Sequence, residues 1–177
     1  MQAIKLIPFP AAQIPSIEIT GKVARQDNVL SIHYSVQGEI DNILLPVQSD
    51  TPARKHDLWK ATCFEFFVAA KKQPEYWEFN LSPSSDWNVY AMDAYRQVNM
   101  REEIAFQQLP FQFRKTNAEL LLDISLDLSF IVRPEQGIQL GITAIIQTRD
   151  AIETYWALAH PAAQADFHLR ESFLLGL

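Results

Sequence analysis

The sequence predicts an all-β protein built as an antiparallel β-sandwich. Three observations carry this. Hydrophobicity alternates with a period of two, not 3.6, along most of the chain. About ten short segments of this kind are separated by turn-forming residues. No long helical pattern interrupts them. The chain has 177 residues, 48% of them hydrophobic and 20% charged, which suits a folded core and argues against disorder. Without repeats, low-complexity tracts or a linker, residues 1–177 read as one domain.

The elements follow in order. A strand over 16–25 runs into Gln26-Asp27-Asn28, a hairpin turn because Asp and Asn tolerate left-handed geometry. In "VLSIHYSV" (29–36), Leu30, Ile32, Tyr34 and Val36 share one face and Val29, Ser31, His33 and Ser35 the other. A strand over 61–69 comes next, then a turn at 73–75. In 76–82, Trp77, Phe79 and Leu81 oppose Tyr76, Glu78, Asn80 and Ser82. A turn at 82–86 leads into a strand over 87–93. Shorter strands are predicted at 103–109 and 112–115. Over 119–128, Leu120, Leu122, Ile124, Leu126 and Leu128 alternate with Leu121, Asp123, Ser125 and Asp127. A short helical turn fits within 126–132, and 133–137 is a further turn. Residues 138–149 are apolar on nearly both faces and β-branched, as a central strand should be, with Gly141 marking a bulge or a close approach. The last strand spans 154–158.

Charge and motifs narrow the function. The net charge is −6, and Lys71-Lys72 and Arg114-Lys115 are isolated basic pairs, so nucleic acid is not an expected partner. Cys63 is the only cysteine, which excludes an intrachain disulfide and suits a reducing compartment. "MQAIKLIPFPAAQIPS" is a poor signal peptide, and no run of 18 apolar residues is present, so a cytoplasmic protein without a membrane span is expected. There is no Gly-x-Ser-x-Gly elbow, Gly-rich phosphate loop or zinc-type Cys/His spacing. Cys63, among Phe64, Phe66 and Phe67, reads as a buried, inert thiol. His160, His168 and Asp166 do not match a metal-binding spacing. Glu65 and Glu78 would serve a glycosidase only with matched separation and proton affinities. Neither an enzyme nor a cofactor is expected.

Three segments carry a resemblance: "DLWKATCFEFFVA" (57–69), "YWEFNLSPSSDWNVYAMDAYR" (76–96) and "YWALAHPAAQADFH" (155–168). In this order they resemble the bacterial DOMON-like domain proteins, which are related to family 9 carbohydrate-binding modules. The resemblance extends from about residue 17 to the end. It implies a jelly-roll-like sandwich that binds a sugar, or in some relatives haem, without chemistry. In the sugar-binding relatives a tryptophan followed six residues later by an acid contributes to the site, a spacing that Trp59 and Glu65 match.

The expected ligand is a small polar molecule, a carbohydrate or sugar derivative first. Trp59 and Trp156 would stack on the ring, Glu65 would accept hydroxyl hydrogen bonds, and Asn88 and Arg96 would donate them. Each has a plainer reading. Trp59 would cap the core, Glu65 would face solvent, Trp156 would be core with Tyr155 outward, and Arg96 would pair with Asp93 or Glu78. Trp87 rivals Trp156 as second clamp. Residues 87–93 are mixed on both faces, as expected of a strand lining a cleft. Glu65, Glu78 and Asn80 form one polar patch if their strands pair, suited to hydroxyl recognition or to open solvent. The alternatives are a haem or redox module with Met92 and His160 as axial ligands, and a partner-binding domain with no small ligand.

Overall fold

The computed structural model describes residues 1–95 and 100–177. Its strands, in chain order, are β1 (Gln2–Pro8), β2 (Ile17–Gln26), β3 (Val29–Gly38), β4 (Cys63–Ala70), β5 (Tyr76–Leu81), β6 (Trp87–Met92), β7 (Arg101–Glu102), β8 (Phe111–Lys115), β9 (Glu119–Asp127), β10 (Ile138–Gln147), β11 (Glu153–Ala157) and β12 (Leu175–Gly176). All of them pair antiparallel. The first sheet runs β1-β2-β3-β9-β8 and the second β7-β6-β5-β4-β10-β11, with β12 beside the start of β10. β1 belongs to both: Gln2–Leu6 pair with β2, while Ile7 and Pro8 pair with β11.

The sandwich expected from the sequence is the one that forms. The alternating faces of β3 and β9 meet those of β4, β5 and β10 in one core, where Tyr34, Ile32, Leu122 and Leu120 pack with Phe64, Phe66, Phe79 and Leu140. Phe66 and Phe79 stack at 4.4 Å. Burying such rings removes about 150–250 Å² of apolar surface each from water, the dominant favourable term in folding. At the β2–β3 hairpin, Asp27 (φ 49°) and Asn28 (φ 71°) both adopt left-handed backbone, as a two-residue turn requires.

Two predictions are corrected. Residues 103–109 form no strand. Their carbonyls are claimed by a side chain instead: Arg54 Nη2 donates to Glu103 O (3.0 Å) and Phe106 O (2.6 Å), while Phe106 packs edge-on against Phe79. β1, in contrast, forms a strand where none was predicted. Ile4 and Leu6 alternate inward, but Pro8 and Pro10 mask the pattern. Gly141 is a close approach: a Cβ there would lie 2.9 Å from Phe173 Cδ1. The expected helical turn appears at the end of β9, where Val132 N–H donates to Leu128 O (2.8 Å).

The two sheets differ on their outer faces. β3 and β9 expose Ser31, His33 and Ser125 at least in part. β4, by contrast, is buried at every residue, and so is β6. A second apolar layer covers that outer face, with Phe167 and Phe173 from the C-terminal segment packed on Phe67, Tyr76, Tyr90 and Met92. The candidate site lies in this layer.

Candidate functional site

Antiparallel register turns the outer face of the second sheet into a grid. In one row Thr143, Glu65, Asn80 and Asn88 stand side by side on β10, β4, β5 and β6. In the next, Phe67, Glu78 and Tyr90 are aligned, followed by Tyr76 opposite Met92. Parity makes this face continuous, because residues two apart on each strand point the same way.

A cavity of about 580 Å³ opens over this grid. Glu65, Phe67, Glu78 and Tyr90 line it from the sheet, Trp59 from the Leu58–Lys60 turn and His168 from the C-terminal segment. Glu65 is 2% exposed and Glu78 6%, so two carboxyl groups share a nearly dry floor. They are diagonal neighbours, since Glu65 faces Asn80, two residues beyond Glu78.

The two acids are supported unequally. Asn80 Nδ2 donates to Glu78 Oε1 (2.7 Å), and His168 Nε2 lies 3.9 Å from Glu78 Oε2. The His168 ring is in turn held by Tyr76, hydroxyl to Nδ1 at 3.0 Å. Glu65 Oε1 has no hydrogen-bond partner among the described residues. Burial, and then the charge of Glu78, raise the proton affinity of Glu65 well above the ordinary carboxylate range, against the downward pull of the Thr143 hydroxyl and the Cys63 thiol. Burial raises Glu78 too, while His168 and the Asn80 amide pull it back. Tyr90 is pushed up to about 12, by burial first and then by Glu78 and Glu102. Burial and the charge of Glu65 also raise Cys63, leaving a neutral thiol in keeping with its inert reading.

The sequence candidates separate in the structure. Trp59 and Glu65 come together on the cavity, Trp59 at its rim with 46% exposure and Glu65 on its floor. Asn88 is buried beside it but not on its lining. Its amide nitrogen is taken by Lys55 O, Tyr90 Oη and Glu102 Oε1, and its oxygen accepts from Arg54, so it positions Tyr90 and offers a ligand nothing. Arg96 lies outside the described residues.

Trp156 is the main correction. It points between the sheets, 3% exposed, with Nε1 donating to Thr154 Oγ1 (2.9 Å). Its neighbour Tyr155 has the opposite parity and lines the cavity. Trp87 also faces the core, with the Arg54 guanidinium 4.5 Å from its ring centroid. Met92 lines the cavity but His160 does not. The His160 ring meets Phe9 edge-on, and its Nε2 lies 3.0 Å from Ile7 O. The two expected haem ligands are therefore not brought together at the cavity.

Tyr76 and Tyr90 were not among the sequence candidates, His168 was weighed only as a metal ligand, and Tyr155 only as the outward neighbour of Trp156. The available signal for Tyr76 and Tyr90 was that β5 and β6 carry aromatics on both faces, Tyr76 against Trp77 and Phe79 and Tyr90 against Trp87, as a doubly covered sheet needs.

No protein-family model matches the sequence, and no curated protein matches it. Solved structures do resemble the fold. A Bacteroides uniformis ATCC 8492 protein proposed to bind carbohydrate superimposes with a TM-score of 0.63 at 15% identity, covering 97% of this chain and 83% of the other. A family 9 carbohydrate-binding module from Caldicellulosiruptor kristjanssonii, solved in complex with cellotriose, gives a TM-score of 0.57 at 11% identity over 90% of this chain and 74% of the other. At such identities the likeness is one of architecture.

Proposed function

We propose that this chain is a non-catalytic carbohydrate-binding protein that holds its ligand in the cavity over β4, β5 and β6, and that it shares its ancestry with DOMON-like domains. The observation that carries this is the buried Glu65 Oε1, which makes no hydrogen bond among the described residues, on the floor of an aromatic-lined cavity. A buried acceptor without a donor is destabilising unless something supplies one. A sugar hydroxyl does so, while Trp59 at the rim gives the C–H face of a pyranose an indole to pack on. The volume, about 580 Å³, falls among ordinary small-ligand sites. The fold neighbour solved in complex with cellotriose supports the ligand class.

The test is a titration with glucose, cellobiose and cellotriose, followed by tryptophan fluorescence. Saturable quenching that weakens about tenfold in Trp59→Ala is expected, with the oligosaccharide recovered uncleaved. Binding that is indifferent to Trp59→Ala would move the site elsewhere, and release of shorter sugars would make the carboxyl pair catalytic.

A further inference from the structure

The charge pattern of the cavity says more than its shape. Two carboxyl groups stand on one buried floor, and no lysine or arginine lines the cavity among the described residues. Of the other acids on the lining, Asp57 accepts from Lys60 Nζ (2.7 Å) and Asp166 from the Tyr95 hydroxyl (2.7 Å), so each has a partner. Glu78 has an amide and a histidine nearby, and Glu65 has the Thr143 hydroxyl and the Cys63 thiol, but its Oε1 makes no hydrogen bond among the described residues. A neutral hydroxyl can satisfy one lone pair, but it leaves the cost of two adjacent buried acids in place. A cation would meet both requirements. The rings of Tyr90 and Tyr155 on the same lining suit a cation too, since their faces carry negative potential.

We propose that the cavity takes a ligand bearing a protonated amine, which seats its ammonium group on Glu65 and Glu78. Combined with the carbohydrate reading, on which this choice of ligand rests, the class is an amino sugar with an unacylated amine. The raised proton affinity of Glu65 agrees: with the cavity empty, a proton does part of what the ammonium would do.

The experiment compares glucose, glucosamine, N-acetylglucosamine and choline by calorimetric titration of the full chain at neutral pH. Glucosamine is expected to bind about tenfold or more tightly than glucose or N-acetylglucosamine, since a charge-assisted hydrogen bond is roughly twice as strong as a neutral one. Glu65→Gln should abolish that preference, because an amide cannot balance the charge. Equal affinity for glucose and glucosamine, or a preference for the acetylated sugar, would overturn the amine assignment and leave carbohydrate binding standing. Choline, whose quaternary nitrogen has no N–H to donate, bound without any sugar would show a bare cation site and overturn the protonated-amine assignment. A glucosamine preference that survives in both Glu65→Gln and Glu78→Gln would place the ammonium elsewhere and refute the proposal. Failure to bind all four would end both readings.

Discussion

Replacing Glu65 by glutamine changes one atom on the cavity floor, and its effect on stability can be worked from the structure. Glu65 is 2% exposed, and its proton affinity is raised by burial and by Glu78. In the unfolded chain it titrates near 4.5. Between that value and its raised folded one, the native state binds more protons than the unfolded state. Stability contributed by this group is therefore full below about pH 4.5 and declines as pH rises, by up to about 1.4 kcal/mol per pH unit for one group. Glu65→Gln removes that slope. From pH 5 to pH 7 the variant should gain on the parent, by at most about 3 kcal/mol for one group over two pH units, and by less where Glu78 takes up the shared proton. Urea unfolding at pH 5, 6 and 7 would measure it through the midpoint at constant slope in denaturant. A variant whose difference from the parent does not change with pH would refute the reasoning. It would mean that Glu65 is as well solvated folded as unfolded.

Other outcomes follow from the same geometry. Trp156→Phe should destabilise by about 1–3 kcal/mol without altering ligand affinity, and Tyr155→Ala should do the reverse; thermal unfolding beside a sugar titration separates them. Arg54→Met should cost about 2–4 kcal/mol in urea unfolding, because the carbonyls of Glu103 and Phe106 and the oxygen of Asn88 lose their charged donor together. Gly141→Ala should cost about 1–3 kcal/mol, since its methyl group meets Phe173 at 2.9 Å; a Phe173→Leu background that recovers part of the loss would confirm the contact.

Much of the fold was legible in the sequence. The alternation of Leu30, Ile32, Tyr34 and Val36, and of Leu120, Leu122 and Ile124, marks strands and their inward faces, because period two is a local property of the pleat. The Asp27-Asn28 turn was legible for the same reason. Trp59 and Glu65, linked beforehand through a resemblance and not from spacing alone, lie on the lining of one cavity.

What the sequence could not decide is which face of a doubly covered strand meets the core and which a cavity. Trp156 and Tyr155 are adjacent, both aromatic and of opposite parity, and either assignment satisfies the local pattern. Glu65, Glu78 and Asn80 read equally as a solvent-facing patch. They are buried because the C-terminal segment around Phe167 and His168, remote in sequence, packs over this face. Residues 103–109 alternate like a strand, but Arg54 took two of their carbonyls and left no ladder to join. Period and propensity act over a few residues and are written in the chain. Burial of an outer face depends on what arrives from a hundred residues away, and only the folded arrangement supplies that.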